Sequence, residues 1–569
     1  MENLMKILLI HPFCLEERIH EEDAAAVPIG LYYIGAMLKE NHYDVEILNF
    51  HGLGRHPDKI REILIAQQPD IIGFSVLNAN RWGAIDTARI AKKINPNVKI
   101  VFGGVAATFL WEHFLTHFKN VDYIIMGEGE HSFLHLVRCL EKKDESGMET
   151  VPGIAFRKNS RIVKTEPAPP IQNLDSLPNP ANYFIYQHIA LTRGCPSNCT
   201  FCGSPKFWGR KVRFHSADYF AAQMEILHQK GISFFYVSDD TFTLKKSLVV
   251  DICKKIIEKK LNISWAAISR ADCVDEEILH WMRTAGCSQI SYGVESGSEQ
   301  MRNFMNKHLR MEHICKAFDL TRAYGILPRA YFIYGCPGET KETIQESIDL
   351  IKKIRPLSCI FYILDVFPGT ALYETFCQRF GINDDIWLKK IEDILWFEYD
   401  PLLNKNKILA FGKMLRENFY QNLPEFAEHI ELTDDKSLYP FHADFLSKLA
   451  MTFTHGDYAQ IQEIPVKEKC AENLCRMALK YYPNHRAFLV LGMIWQKQGE
   501  FVLSSEILRE GTASFPGSEE LHLCLGISLM NLGRFREALE YFIKFEPSER
   551  ISPYIAECRR NLPASPDHN

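Results

Sequence analysis

The sequence lacks a large excess of charge of either sign, and it lacks long hydrophobic runs. It contains 65 Lys and Arg against 71 Asp and Glu, a net charge of −6 at pH 7, with a pI near 6.4. Nucleic-acid-binding surfaces usually appear as a basic excess, so we expect no nucleic-acid partner. No apolar run approaches the roughly 20 residues that span a bilayer, so we expect no transmembrane segment.

The sequence also lacks the marks of a secreted protein. Its 16 cysteines are not spaced as a disulfide framework, and the stretch Met1–Ile10 has the pattern of a strand rather than of a targeting sequence. We therefore expect a reducing, cytoplasmic location. A length of 569 residues and a hydrophobic content of 46% indicate a globular protein of three or four domains.

Three of the cysteines lie in one short stretch and are the most informative feature of the chain. Cys195, Cys199 and Cys202 have the spacing C-x3-C-x2-C. A cubane iron–sulfur cluster normally takes four protein thiolates, so three leave one iron free for another ligand. Half of a zinc site is an alternative, but neither His188 nor His215 completes a known zinc spacing. Ordinary buried thiols are the other alternative.

The first 150 residues alternate patterns of buried strands with patterns of helices. The strands are predicted at Lys6–Ile10, Asp44–Asn49, Asp70–Ser75, Val98–Gly103 and Val121–Met126. This alternation predicts an α/β domain over residues 1–150 with a doubly wound, Rossmann-like parallel sheet. Ligands of such sheets bind at the carboxyl ends of the strands, where glycines and serines collect in this sequence.

Residues 151–185 are predicted as a connector that contains a hairpin and a proline-rich linker. Beyond it, strand patterns recur with helices between them, at Gln187–Leu191, Phe234–Val237, Ile263–Ile268, Gln289–Gly293, Arg329–Tyr334 and Ile360–Leu364. Six such units predict a partial (β/α)6 barrel of the TIM type over residues 186–385. Barrels of this kind place their chemistry at the carboxyl ends of the strands.

The carboxyl-terminal region is predicted to be all-α. Residues 386–465 form a helical extension, and residues 466–569 contain a repeat. Leu491-Gly492 recurs as Leu525-Gly526, and Phe501 as Phe535, at the period of about 34 residues that is typical of tetratricopeptide repeats. Such repeats form concave surfaces for a protein or peptide partner, although two units could equally cap the enzyme or dimerise it.

These motifs together resemble the radical S-adenosylmethionine (SAM) superfamily. That family has an Arg-x-Asp after the third barrel strand, here Arg270 and Asp272. It has Gly-Val-Glu-Ser-Gly after the fourth strand and Gly-x-Pro-Gly-Glu-Thr after the fifth, here Gly293–Gly297 and Gly335–Thr340. The first domain is similar to the cobalamin-binding domains fused to such enzymes, and the resemblance covers about residues 1–390.

The resemblance implies a reaction and three cofactors. Cys195, Cys199 and Cys202 would ligate a [4Fe-4S] cluster, and its free iron would chelate SAM for reductive cleavage to a 5′-deoxyadenosyl radical. A low-potential donor, flavodoxin or ferredoxin, would supply the electron. With cobalamin as third cofactor, the leading function is C-methylation of an unactivated carbon. The alternatives are radical oxidation, cyclisation or rearrangement without methyl transfer, as in anaerobic magnesium-protoporphyrin cyclases, and a non-catalytic repeat scaffold.

We expect SAM contacts from strand ends and from the cysteine stretch: Phe201, Ser238, Asp239, Arg270 and Glu295. Arg270 suits the SAM carboxylate because a guanidinium pairs carboxylates bidentately, and an ordinary surface ion pair with Asp272 is the alternative. Glu295 suits the ammonium or the ribose, and Phe201 suits the adenine face. Cys336, also at a strand end, is a candidate for hydrogen-atom donation or metal binding, although such cysteines more often fill space.

The resemblance also implies cobalamin contacts along the first sheet, at Pro12, Gly30, Ser75, Leu77, Gly103, Gly104, Gly127 and Glu128. Ser75-x-Leu77 and the later glycine pair match the family pattern for the nucleotide tail. The older cobalamin motif D-x-H-x-x-G is absent, since His51 follows the second strand without the Asp. We therefore expect no protein histidine below the cobalt. The same absence leaves open that cobalamin binding has been lost.

Overall fold

Seven strands form the first sheet of this computed structural model, which describes residues 5–15 and 25–562. They are β1 Lys6–His11, β2 Asp44–Asn49, β3 Ile71–Ser75, β4 Lys99–Gly103, β5 Tyr123–Ile125, β6 Ile154–Lys158 and β7 Arg161–Lys164. Their order is β2-β1-β3-β4-β5-β6-β7, with β1 to β5 parallel and the last two strands antiparallel. The first four residues of the predicted amino-terminal strand segment lie outside the described residues.

The first sheet is apolar on both faces, which explains the continuous hydrophobic runs of its strands. In β1, Leu8 and Ile10 pack into one core while Ile7 and Leu9 pack into another. The helices of this region are Ile29–Glu40, Pro57–Gln67, Arg81–Ile94, Val105–Phe109, Trp111–His117 and Glu130–Lys142. The five predicted parallel strands are confirmed. The hairpin predicted in the connector extends the same sheet by two antiparallel strands.

The strand order places a switch point in the first sheet. The chain runs from β1 outward to β2, then returns past β1 to β3, so the connections on the two sides of β1 diverge. In open α/β sheets, ligands bind outside the carboxyl ends of the strands at such a point. Pro12 and Ser75 stand there, at the ends of β1 and β3.

Eight further strands follow: β8 His188–Ile189, β9 Thr192–Arg193, β10 Arg213–Phe214, β11 Phe234–Val237, β12 Ser264–Ser269, β13 Cys287–Glu295, β14 Leu327–Tyr334 and β15 Ser358–Ile363. Six of them form a parallel sheet in the order β15-β14-β13-β12-β11-β8. The six strands predicted from the sequence are all present. β9 and β10 instead pair with each other as a separate antiparallel ribbon.

Helices alternate with the strands of the second sheet. They are Ser204–Trp208, Ala217–Gln229, Lys246–Glu258, Glu276–Thr284, Glu299–Phe304, Met311–Ala323, Lys341–Ile354 and Ala371–Phe380. Strand order equals chain order throughout, so each unit lies beside the one before it. The carboxyl ends of these strands meet at one edge, where the polar motifs of the sequence come together.

The carboxyl-terminal region is helical, as predicted. Its α-helices are Lys405–Glu428, Tyr439–Thr454, Lys467–Tyr481, His485–Lys497, Phe501–Ser514, Glu519–Asn531, Phe535–Phe542 and Ser552–Asn561. Helix Lys405–Glu428 packs on helix Lys341–Ile354 of the second sheet. Over residues 5–15 and 25–562, no helix has the length and apolar content needed to cross a membrane.

Two helix pairs near the carboxyl terminus pack in the same way. A Cβ at Gly492 would lie 2.6 Å from Leu508, and a Cβ at Gly526 would lie 2.2 Å from Phe542. Each glycine therefore lets the following helix approach closely. Leu491 and Leu525 are fully buried, as the repeat predicts, whereas Phe501 and Phe535 are half-buried.

Candidate cofactor site

The three clustered cysteines lie in the loop between β9 and β10. None of them is in a disulfide, and Cys195 is buried while Cys199 and Cys202 are half-buried. Gly194 precedes the first of them with φ +112°, and a Cβ there would lie 3.0 Å from the carbonyl oxygens of Gly209 and Lys211. Only glycine fits this turn, which begins the loop.

Backbone hydrogen bonds attach the cysteine loop to the second domain. The amide of Thr200 donates to the carbonyl of Met305 at 3.0 Å, and the amide of Leu372 donates to the carbonyl of Thr200 at 2.8 Å. The side-chain amide of Asn306 donates to the carbonyl of Asn198 at 2.6 Å. The loop is therefore held from two separate segments that follow β13 and β15.

The donor set fits a cluster with three protein ligands. Burial raises the pKa of Cys202 to about 12, with Asp240, Cys199 and Cys195 adding to the rise. Burial also raises the pKa of Cys199. The three thiols lie within eight consecutive residues of one loop, Cys195–Cys202. Metal binding requires thiolates and releases their protons, so a positively charged cluster would relieve this crowding.

Arg270 and Asp272 form a bidentate ion pair beside the cysteine loop. Nε and NH2 of Arg270 donate to the two carboxylate oxygens of Asp272 at 2.9 and 2.8 Å. NH1 donates to the hydroxyl of Ser197 at 3.0 Å, and NH2 also donates to the carbonyl of His308 at 3.1 Å. In this structure the guanidinium braces the loop. Its contact with the SAM carboxylate stays a prediction.

Glu295 stands at the end of β13 in a left-handed conformation with φ +66°. Its carboxylate is buried and pairs with the ammonium of Lys307 at 2.8 Å. Burial lowers the pKa of Lys307, but Glu295 and Cys199 offset this, and the pKa ends above its ordinary value. A buried ion pair next to a ligand-bearing loop is typical of a functional site.

Asp239 and Ser238 follow β11 and reach the strands that precede the cysteine loop. The Asp239 carboxylate accepts hydrogen bonds from the Leu191 amide at 2.9 Å and from the Thr192 hydroxyl at 2.5 Å. Burial raises the pKa of Asp239 to about 7. Ser238 is exposed and lies 3.2 Å from Nδ1 of His188. Asp239 therefore supports β9, and direct SAM contact by either residue stays a prediction.

Phe201 is half-buried in the cysteine loop and packs against the main core. Cys336 is fully buried at the end of β14, and burial raises the pKa of its thiol well above the ordinary value. A protonated, buried thiol favours the space-filling interpretation of Cys336 over metal binding. Next to it, the buried carboxyl of Glu339 accepts hydrogen bonds from the backbone amides of Gly335 and Cys336.

Glu339 gives a testable pH dependence. Burial raises its pKa from an ordinary value of 4.5 to about 7. The folded state then holds a proton that the unfolded state has lost, so stability falls as the pH rises from about 4.5 to 7. We expect Glu339→Gln to remove up to about 3 kcal/mol of this dependence. Thermal unfolding of wild type and of Glu339→Gln from pH 5 to 8 measures this difference. An equal loss of stability in the two proteins as the pH rises would contradict the prediction.

The cobalamin residues predicted on the first sheet gather at its carboxyl edge. The Val76 amide donates to the Gly103 carbonyl at 2.7 Å, and the Gly127 amide donates to the Thr108 hydroxyl at 3.0 Å. Gly104 has φ +93°, and a Cβ there would lie 3.0 Å from the backbone N and O of Val76. Gly104 is therefore needed for the packing of neighbouring strand ends, as well as for any ligand approach.

Open space at this edge fits a bulky cofactor. Among the residues that the structure describes, no atom lies within 4 Å of a Cβ built at Gly30 or at Gly127. Gly30 is the second residue of helix Ile29–Glu40, and Gly127 follows β5. Pro12 is buried, while Ser75 and Leu77 are half-buried beside them, and the Leu77 amide donates to the Asn80 side chain at 2.8 Å.

Glu128 has protein partners on the side of the second domain. Its carboxylate lies 2.5 Å from NH2 of Arg213 and 3.7 Å from NH1 of Arg193, and it accepts a 2.7 Å hydrogen bond from the Ile171 amide. These contacts occupy the carboxylate, so its predicted contact with cobalamin stays a prediction.

Several residues of the site were missed by the sequence reasoning. Lys307 stands outside the strand-end motifs, and no local signal indicates that it pairs with Glu295. Arg193 lies two residues before Cys195, and Glu130 lies three residues after Gly127. Both therefore stand near predicted site residues, but the sequence indicates no role for either of them. Cys273, a further thiol, donates to Asp272 at 3.6 Å.

Two family models match the chain over the regions just described. Residues 189–351 match the radical SAM superfamily, and residues 23–137 match the B12-binding domain. An uncharacterized methyltransferase of Pyrococcus horikoshii is 32% identical, over 73% of this chain and 92% of the relative. An anaerobic magnesium-protoporphyrin IX monomethyl ester cyclase of Rubrivivax gelatinosus is 27% identical, over 67% of this chain and 71% of the relative.

The fold is shared with a solved structure. A radical SAM methyltransferase from Kitasatospora setae, with cobalamin and a [4Fe-4S] cluster bound, matches with a TM-score of 0.58 and 16% identity, over 84% of this chain and 99% of that one. The chain belongs to the radical SAM superfamily, in the group that carries a B12-binding domain. It is a cobalamin-dependent radical SAM enzyme whose cofactors are a [4Fe-4S] cluster, SAM and cobalamin.

Proposed function

We propose that the enzyme transfers a methyl group to an unactivated carbon atom of its substrate. The observation that carries this is the joining of the two cofactor regions: Arg193, two residues before Cys195, bonds Glu130 beside the open edge of the first sheet. The 32% identity to an uncharacterized methyltransferase, over 92% of its length, supports methyl transfer. When bound, the cluster with SAM supplies a radical and cobalamin supplies a methyl group.

The chain's own residues have supporting roles in this proposal. Cys195, Cys199 and Cys202 would hold the cluster in the second domain, which we take as a partial (β/α)6 barrel. Phe201, Ser238 and Glu295 would lie around SAM. Arg270 would support the cysteine loop itself, and Asp239 would support β9, the strand that precedes the loop. The cleft by Gly30, Ser75, Leu77, Gly103 and Gly127 would hold cobalamin without a histidine ligand.

Product analysis with SAM that carries a deuterated methyl group tests methyl transfer. The protein is loaded with all three cofactors under anaerobic conditions and reduced by flavodoxin or ferredoxin. It is then incubated with the low-molecular-mass fraction of a cell extract. A product heavier by the mass of the deuterated methyl group supports the proposal. Formation of 5′-deoxyadenosine with products that contain no deuterated methyl would contradict methylation.

That second outcome would favour oxidative cyclisation. The observation behind this candidate is the 27% identity to the Rubrivivax cyclase over 67% of this chain. Both reactions begin with a substrate radical, and they differ in whether that radical captures a methyl group or loses a further electron. The structure of the cysteine loop serves either reaction.

We also propose that the carboxyl-terminal helix pairs are tetratricopeptide units that bind a protein or peptide partner in the cytoplasm. The shared 34-residue spacing and the matched contacts at Gly492 and Gly526 support the repeat. Helix Lys467–Tyr481 belongs to the same core as the enzyme domains, through Leu474 and Cys475, whereas helices beyond Phe501 form a separate core.

Because the two cores differ, we expect two truncations to have different effects on the melting temperature. Deleting residues 516–569 should leave iron and cobalamin content unchanged, because it removes only part of the separate core. Deleting residues 466–569 should also spare the cofactor motifs, which end near residue 385, but it uncovers the face of helix Tyr439–Thr454 that packs on helix Lys467–Tyr481. We expect a lower melting temperature for the longer deletion alone. Loss of cofactor from the shorter deletion would contradict this division.

A further inference from the structure

Two arginines face each other at the base of the cysteine loop. Arg193 of β9 and Arg213 of β10 are cross-strand partners in the two-stranded ribbon that begins and ends the loop. Like charges directly opposite each other destabilise a strand pair. Both side chains are buried, with less than a tenth of their surface exposed. The ribbon therefore needs negative charge from elsewhere.

The negative charge comes from the cobalamin domain. Glu130 Oε1 lies 2.5 Å from NH2 of Arg193, and Glu128 Oε1 lies 2.5 Å from NH2 of Arg213 and 3.7 Å from NH1 of Arg193. All four side chains are buried, and their charges sum to zero. We call Glu128, Glu130, Arg193 and Arg213 the interdomain ion cluster.

Neighbouring contacts fix the same ribbon to the same domain. The Arg193 guanidinium lies 5.2 Å from the ring centroid of Tyr33, on helix Ile29–Glu40 of the cobalamin domain. The hydroxyl of Tyr33 lies 3.0 Å from Nε2 of His215, the residue that follows β10. The amide of His215 donates to the carbonyl of Leu191 at 2.9 Å. Both ends of the cysteine loop therefore contact the cobalamin domain directly.

Stability alone explains this arrangement poorly. Desolvating four charges is costly, and replacing a buried ion pair by apolar residues is often neutral or stabilising. What such a group provides is a defined geometry, because each charge must meet its partner at hydrogen-bonding distance. Glu128 and Glu130 directly follow the open edge at Gly127, and Arg193 lies two residues before Cys195.

We propose that the interdomain ion cluster positions the cysteine loop relative to the cobalamin-binding edge, so that its four members are positioning residues that set the distance between the iron–sulfur cluster and cobalamin. The inference rests on Cys195, Cys199 and Cys202 as the cluster ligands. It does not depend on which substrate is methylated. Failure of the deuterated-methyl experiment would therefore leave it intact.

Pulsed electron paramagnetic resonance on the full-length holoenzyme tests the proposal. The dipolar coupling between the reduced iron–sulfur cluster and cob(II)alamin reports the distance between the two cofactors. Wild type should give one narrow distribution. Glu130→Gln should broaden or shift this distance distribution, and it should reduce turnover of the complete reaction per cluster by about 10²-fold, the scale of a 1 Å misplacement of reacting groups. Glu149→Gln removes an exposed carboxylate that pairs with Lys158 in the same domain and should change neither value.

If the single variants bind too little cofactor, the double variant Glu128→Arg with Arg213→Glu, which exchanges the two charges, provides the test. Restored loading with a narrow coupling distribution in this double variant supports positioning by charge pairing. Two results would overturn the proposal. One is a coupling distribution identical to wild type in Glu130→Gln that carries both cofactors. The other is a double variant no better than Arg213→Glu alone.

Discussion

Replacing Cys195, Cys199 and Cys202 together by alanine is expected to abolish iron binding and SAM cleavage. Wild type should hold about four irons per chain after anaerobic reconstitution, and the triple variant none. The reason is geometric, since all three thiols lie in one loop that Gly194 and the hydrogen bonds of Thr200 hold in place. Iron and sulfide analysis with the visible absorbance of the cluster measures the effect.

Cys139→Ala is the matched control for the loss of a thiol. Cys139 is half-buried on helix Glu130–Lys142 of the first domain, so this variant should keep the iron content of wild type. Circular dichroism of the triple variant should show the helical content of the native fold. Zinc bound by wild type without iron–sulfur absorbance would refute the cluster assignment and revive the zinc alternative.

The strands were predictable because their burial is unusually complete. β1, β3 and β4 are buried on both faces, so each appears in the sequence as an unbroken apolar run. The polar motifs follow the strands, and parallel strands place their carboxyl ends together. The sequence therefore predicts that Asp239, Arg270 and Glu295 lie in one region, at the carboxyl ends of their strands.

The partners of Glu295 and Glu128 were not predictable. Glu295 pairs with Lys307, which follows helix Glu299–Phe304, and Glu128 pairs with Arg213, which lies in another domain. Such contacts depend on tertiary packing within and between domains, and no local period or spacing encodes that packing. For Arg270 the sequence offered both a SAM carboxylate and Asp272 as partners, and the structure shows its guanidinium bonded to Asp272 and to the cysteine loop.

Gly30→Trp is expected to prevent cobalamin binding while it leaves the iron–sulfur cluster in place. Among the described residues, no atom lies within 4 Å of a Cβ built at Gly30, so a side chain there starts in open space at the edge of the first sheet. Cobalamin affinity should fall at least about tenfold, which corresponds to about 1.4 kcal/mol. Gly104→Trp is a poorer test, because φ +93° and the backbone of Val76 at 3.0 Å would strain the fold itself.

Gly517→Trp is the matched control, since Gly517 also has open space around its Cβ position but lies between the carboxyl-terminal helices. It should bind cobalamin as wild type does. The cob(II)alamin bound to wild type should show no nitrogen coupling from a histidine, because the sequence lacks the D-x-H-x-x-G motif. Full cobalamin loading in Gly30→Trp would place the cofactor elsewhere, and a histidine coupling would identify a lower ligand, with His51, which follows β2, as the first residue to replace.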